Sequence, residues 1–164
     1  MISNSAKLEY QTILDWIKPN SSVLDLGCGD GELLSLLIRE KKVKAQGIEL
    51  SEQAIYACVA KGLNILHGDI DTGLSEYATH SFDYVILDQS FQQVKKPDIV
   101  LDEALRVGNH AIVGFPNFAH YTVRYALSIK GKTPVTPSLP YLWYDTPNLH
   151  FFSILDFIEY CNIN

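Results

Sequence analysis

Val23-Leu24-Asp25-Leu26-Gly27-Cys28-Gly29-Asp30-Gly31-Glu32-Leu33-Leu34 is the stretch on which the reading of this chain turns. Residues 23–27 read as a short buried strand. Three glycines at alternate positions then break it. Leu33, Leu34, Leu36, Leu37 and Ile38 follow in a dense apolar run, which predicts a buried helix from Glu32 to Arg39 ending before Lys41-Lys42. A buried strand that feeds a glycine turn and then a helix is the opening unit of a parallel α/β sheet.

The same alternation continues outward. Ala45 to Leu50 reads as a second strand. Ser51 caps a helix that runs to about Lys61, with Ala54, Ile55, Cys58 and Val59 inward and Gly62 as its stop. Leu63 to Asp69 is the third strand and Phe82 to Asp88 the fourth. Pro97 suits the first position of a helix ending at Gly108. His110 to Phe115 is the fifth strand, closed by Pro116-Asn117. Strands and helices in strict alternation predict a Rossmann-like α/β fold, a mostly parallel twisted sheet with helices on both faces. The 164 residues are expected to form one domain, 1–164.

Composition narrows the function classes. Thirteen Lys and Arg against nineteen Asp and Glu give a net charge of −6, which argues against a nucleic-acid partner. No apolar run is long enough to span a bilayer, and Met1 to Lys7 lacks a signal-like apolar stretch, so no membrane association and a cytoplasmic location are expected. Cys28, Cys58 and Cys161 are widely spaced, and five histidines show no ligand spacing. Neither a disulfide frame nor a metal site is expected.

The glycine turn admits two nucleotide readings. A dinucleotide fingerprint needs Gly-x-Gly-x-x-Gly. Here the third glycine falls one place early, at Gly31, and Glu32 would face a pyrophosphate. A P-loop needs Gly-Lys-Ser/Thr, which is absent. Asp25-x-Gly27-x-Gly29-x-Gly31 instead resembles the first motif of class I S-adenosylmethionine-dependent methyltransferases. The resemblance implies S-adenosylmethionine as cofactor, with Asp25 near its methionine end and Gly27, Cys28, Gly29 and Gly31 forming a backbone cradle. A tight turn with incidental glycines is the plain alternative.

Glu49 ends the second strand, 18 residues after Gly31. A carboxylate there can accept hydrogen bonds from both ribose hydroxyls. A solvated strand-end acid is its bland counterpart. Leu50 stands beside it. In the resembled family, Gly68, Asp69 and Ile70 would lie at the cofactor with Asp69 on the adenine amino group, and Asp88 and Gln89 would also border the cofactor, at the place where the family has acceptor-facing or catalytic residues. Asp69 and Asp88 could equally cap turns. All these positions lie at carboxyl ends of strands, where open parallel sheets bind ligands.

Longer segments resemble a narrower group, the MetW family of methionine-biosynthesis proteins. They are 23–34, 68–74, 81–87, Pro97 to Gly108, 115–118 and, most specifically, Leu139-Pro-Tyr-Leu-Trp-Tyr-Asp-Thr-Pro-Asn-Leu-His150. The resemblance implies a methyltransferase-like protein acting with homoserine O-acyltransferase. An active small-molecule methyltransferase with an unidentified acceptor is the alternative. Asp88 and Ser90 depart from the family's more usual Ser and Thr. The family's sheet also has further C-terminal strands, so their absence from this chain is expected.

Residues 115–152 hold half of the aromatic residues and most of the prolines. A helix near His120 to Ile129, a proline-punctuated loop from Thr133 to Asn148 and a last helix capped by Ser153 are expected. Most of Tyr121, Tyr125, Tyr141, Trp143, Tyr144, Phe151 and Phe152 should pack as a lid on the sheet. An acceptor pocket or partner surface is the functional alternative. His120 and Asp88 are weak candidates for a base.

Overall fold

A computed structural model of the chain describes residues 4–163. Five strands, β1 (Ser22–Leu26), β2 (Lys44–Glu49), β3 (Ile65–His67), β4 (Phe82–Asp88) and β5 (Gly108–Gly114), form one sheet in the order β3-β2-β1-β4-β5. All four pairings are parallel. Chain order runs outward from β1 through β2 to β3, then restarts at β4 on the other side of β1. The switch point therefore lies between the carboxyl ends of β1 and β4.

Parallel strands buried on both faces explain the continuous apolar runs. Along β1, Leu24 and Leu26 face one layer and Val23 the other. Along β4, Val85 and Leu87 share the first layer, while Tyr84 and Ile86 share the second. Helix α4 (Pro97–Val107) covers the first face with Val100, Leu101, Ala104 and Val107. Helices α1 (Asn4–Trp16) and α2 (Glu32–Lys41) cover the second with Ile13, Leu14, Leu33 and Leu37. α3 (Glu52–Ala60) lies along β2 and β3. α5 (Tyr121–Ser128) and α6 (Ile154–Ile163) follow the sheet.

The expected caps are present. The Ser51 hydroxyl accepts from the Ala54 N–H at 3.4 Å, and Pro97 occupies the first turn of α4. At the last helix the Ser153 hydroxyl accepts from the Asp156 N–H at 3.2 Å. Asp156 Oδ2 in turn accepts from the Ser153 N–H at 2.7 Å, a reciprocal capping box.

Four expectations need correction. The third strand is three residues, not seven. Leu63 spends its N–H on the Cys58 carbonyl at the end of α3, and Asp69 caps a 3₁₀ turn at Ile70–Thr72, leaving only 65–67 to pair with β2. Val59 points outward rather than into the core. β5 starts earlier, at Gly108, which pairs with Phe82. Sequence reading missed α1 altogether. None of the described helices is long and apolar enough to cross a membrane.

Candidate functional site

The glycine turn sits at the switch point, directly after β1. Gly27, Gly29 and Gly31 all have positive φ. Gly31, at +74°, is also hemmed in. A Cβ there would overlap Leu63 Cδ1 and approach Cys58 Sγ to 2.9 Å. Gly29 is the opposite case. Its φ is +55°, yet a Cβ would meet nothing within 4 Å. Gly31 is thus required by packing against α3, while Gly29 presents a bare backbone to open space.

Glycine turns are expected to offer N–H groups to a ligand. Here four of them are used within the protein. Gly27 and Cys28 both donate to the Ile48 carbonyl, at 2.8 and 3.2 Å, and Gly31 donates to the Cys28 carbonyl at 3.0 Å. Gly29 donates to Glu49 Oε2 at 2.8 Å. Glu49 Oε1 also accepts from the N–H groups of Leu50 and Ser51, at 2.9 and 2.8 Å. This carboxylate therefore ties the ends of β1 and β2 together. The turn is not a nest of free donors for a phosphate.

What surrounds the turn is acidic. Asp25 is 2% exposed, on the β1 row facing α1 and α2. Burial, and then the neighbouring Glu49, push its carboxyl up to about 7. Asp88, at the end of β4, is held well above the usual carboxylate range by burial and then by Glu9. The Tyr10 phenol is pushed above its ordinary value by burial and then by Asp88, Glu32, Asp25 and Asp30. Burial and Asp25 likewise raise the Cys28 thiol, whose sulfur packs where a Cβ on Gly47 would sit. Cys28 is thereby a packing residue and a poor nucleophile. Lys61 is the one cation paired with this ring among the described residues. Its Nζ donates to Asp30 Oδ2 at 3.0 Å and to the Asp30 carbonyl at 2.7 Å.

Next to the turn, a cleft of about 980 Å³ opens between α1, the ends of β4 and β5, and residues 135–141. Asp88 and Gln89 border it, with Glu9 above them. Gln89 adopts a positive φ of 58° and donates from Nε2 to Glu9 Oε1 at 2.7 Å. A Cβ on Gly114 would overlap Asp88 Oδ1 and lie 3.4 Å from Glu9 Oε1, so the bare glycine of β5 makes room for both acids. Sequence reading missed Glu9 and Tyr10 because it missed their helix. It missed Gln92, which carries no motif, and Asn148, which was read only as part of the family-specific segment 139–150.

The structure gathers Asp25, Gly27, Cys28, Gly29, Gly31, Glu49, Leu50, Asp88 and Gln89 around the carboxyl ends of β1, β2 and β4. Gly68, Asp69 and Ile70 follow β3. Asp69 Oδ1 accepts from the Asp71 N–H at 2.9 Å, which is the turn-capping role weighed for it. His120 lines the cleft, but its Nδ1 is engaged with the Thr122 hydroxyl at 2.8 Å.

The lid expectation needs correction. Of the seven aromatic residues, only Phe152 packs inward, in a cluster with Phe91, Phe115 and Phe157 at centroid distances of 4.4–6.3 Å. Trp143 is 72% exposed and Tyr144 69%. The segment is anchored by other means. Leu139 and Asn148 are buried, the N–H groups of Leu149 and His150 both donate to the Gln92 carbonyl, and His150 Nε2 sits 2.9 Å from the Val94 carbonyl. The prolines and these backbone bonds fix the path, leaving the aromatic rings free to face outward.

The family model described as "Methionine biosynthesis protein MetW" matches residues 7–164. A bifunctional methionine biosynthesis protein MetXA/MetW from Rhodopirellula baltica is 35% identical over 158 residues, covering 91% of this chain. The chain spans about a quarter (25%) of that curated relative's length. Among solved structures, a SAM-dependent methyltransferase from Thermotoga maritima superposes with a TM-score of 0.70 at 23% identity, over 94% of this chain and 68% of its own. One from Archaeoglobus fulgidus gives 0.62 at 21%, over 81% and 62%. At these identities the likeness shows the fold, that of class I S-adenosylmethionine-dependent methyltransferases.

Proposed function

Since the chain belongs to the MetW family of methionine-biosynthesis proteins, we propose that it binds S-adenosylmethionine at the glycine turn and acts together with a homoserine O-acyltransferase. The observation that carries the cofactor reading is the chemistry of the turn. Its donors are spent internally and its surroundings are carboxylates, which suits a ligand bearing an ammonium and a sulfonium rather than a pyrophosphate. Asp25 would orient the methionine end, and Glu49 would hold the ribose while bracing the turn. Gly29 would lie against the ligand, with Leu50, Asp69 and Ile70 toward the adenine. When bound, the cofactor supplies an electrophilic methyl group. The chain supplies orientation and a water-poor setting.

The partner reading rests on two supports. The Rhodopirellula relative carries MetXA and MetW names on one polypeptide. Trp143 and Tyr144 sit exposed on the family's most specific segment, and such residues are favoured at protein interfaces. One observation favours a second reading, a catalyst. The cleft beside Asp88 is large enough for a methyl acceptor. Titration calorimetry with S-adenosylmethionine, S-adenosylhomocysteine and NAD on wild type and Glu49→Ala tests the cofactor. Binding of NAD alone overturns it. Capture of the acyltransferase, with and without cofactor, separates a regulator from a catalyst.

A further inference from the structure

Helix α1 is fastened unevenly. Ile13 and Leu14 in its second half, and Ile17 just past its end, are buried against the sheet. In its first half Leu8 is exposed and Tyr10 only partly covered. Beside Tyr10, that half is held by polar bonds. Glu9 Oε1 accepts from Gln89 Nε2 at 2.7 Å, and the Glu9 carboxylate shares a hydrogen bond with the Asp88 carboxyl at the end of β4. The two sides of this contact differ in stiffness. The Gln89 N–H donates to the Gly114 carbonyl at 2.8 Å, and the Gln89 carbonyl accepts from Nε2 of Gln92 and of Gln93, at 2.9 and 2.8 Å. The sheet side is therefore clamped, and movement falls to the start of α1, where opening a helix end is cheap.

A bond between two carboxyl groups needs one proton between them. With it, Asp88 donates and Glu9 accepts; without it, two like charges face each other. Little offsets that repulsion among the described residues. From β1 the pair meets Asp25, and β5 brings only the bare Gly114. Tyr10 of α1 lies nearby and in turn faces Asp25, Asp30 and Glu32. No lysine or arginine borders the cleft, and His120, which does, has its Nδ1 on the Thr122 hydroxyl. We propose that Glu9 and Asp88 form a latch worked by one proton: while they share it, the first half of α1 lies closed on the end of β4, and when it passes to solvent that half lifts and widens the cleft that Leu8, Glu9 and Thr12 border. Burial and then Glu9 keep the Asp88 carboxyl protonated well above the usual carboxylate range. Closing thus takes up a proton. The closed form weakens as pH rises past the ordinary carboxylate range and levels off once Asp88 has ionised in the closed form too.

Backbone hydrogen exchange, followed by NMR on the whole chain from about pH 5 to about pH 9, tests the latch. Every arm carries Asp25→Asn, because Asp25 itself titrates at about 7 and would change global stability over the same range. After division by the intrinsic exchange rate, the opening constant of residues 9–12 should rise by up to about tenfold per pH unit and then level off, with the amides of β1 and β4 unmoved. Adding Asp88→Asn, whose amide can donate to Glu9 at any pH, should keep residues 9–12 protected throughout. Adding Glu9→Ala should leave them open throughout. A flat profile without either addition overturns the proposal, as does a pH response that survives Asp88→Asn or full protection in Glu9→Ala. Movement of the Gln89 side-chain signal while α1 stays protected would mean that only the Glu9 side chain swings away, and it overturns the proposal too.

Discussion

The Gly29 N–H donates to Glu49 Oε2 at 2.8 Å, so a strand-end carboxylate closes the glycine turn from the neighbouring strand. The other oxygen of the same group gathers the N–H groups of Leu50 and Ser51 at the start of α3. One side chain thus fixes the spacing of β1, β2 and α3 at the switch point.

Removing it should cost both stability and binding. Hydrogen bonds to a charged acceptor are worth roughly 1.5–3 kcal/mol. Glu49→Ala is expected to lower unfolding free energy by about 2 kcal/mol in urea titrations, with Glu49→Gln intermediate. Calorimetry should show S-adenosylmethionine affinity falling more than tenfold in Glu49→Ala.

Gly29 and Gly31 should separate binding from folding. Gly31→Ala puts a Cβ onto Leu63 and Cys58 at a positive φ, so a loss of about 2–4 kcal/mol is expected. Gly29→Ala carries only the conformational penalty, about 1 kcal/mol, because its Cβ meets open space. On the proposed reading, that Cβ would meet the cofactor. Chemical denaturation and calorimetry on both variants should show opposite rank orders, Gly31→Ala worse in stability and Gly29→Ala worse in cofactor affinity relative to its stability.

Asp25 makes stability depend on pH in a defined direction. Its folded carboxyl titrates at about 7, raised from 3.8. The native state therefore holds a proton that the unfolded state has already lost between these values. Stability falls as pH rises through that window. The drop attributable to Asp25 should be on the order of a few kcal/mol. Asp25→Asn should remove this slope and be the more stable protein at pH 8. Melting curves of both proteins from pH 4 to 8 measure the difference. A cationic cofactor stabilises the ionised form, so wild-type affinity should rise with pH up to about 7, with proton release seen in buffers of different ionisation enthalpy.

Trp143 and Tyr144 should matter to a partner and not to the fold. Both are more than two-thirds exposed, at 72% and 69%, and their rings meet edge to face with centroids 5.5 Å apart. The double replacement Trp143→Ala, Tyr144→Ala should change unfolding free energy by no more than about 0.5 kcal/mol. Retention of the acyltransferase in a capture assay should drop at least tenfold. Unchanged retention would move the docking surface elsewhere.

The parallel sheet was legible because its strands are buried on both sides and so read as runs, and because Ser51, Pro97 and Ser153 punctuate the helices as capping chemistry requires. Helix α1 was not. Leu8 and Trp16 are apolar yet 72% and 61% exposed, which blurs the stripe made by Ile13, Leu14 and Ile17. The third strand read long because Leu63, Ile65 and Leu66 form an apolar run that ends only at Gly68-Asp69. Cap and turn hydrogen bonds claim both ends. Site positions on strand ends could be read from spacing along the chain. Glu9, Gln92 and Asn148 could not, since only the fold brings the first helix, the turn after β4 and the late proline segment to one cleft.

Residues 141–147 are fastened at their two ends, by buried Leu139 on one side and by Asn148 with the Gln92 carbonyl beyond it on the other. Among the described residues, the hydrogen bonds recorded within this stretch stay inside it or reach only Asn148, as in Leu142 to Asp145 and Thr146 to Asn148. Such a bridge can bow outward or press inward without disturbing the sheet or breaking a core contact. Its outline can change cheaply, and it carries the outward-facing Trp143.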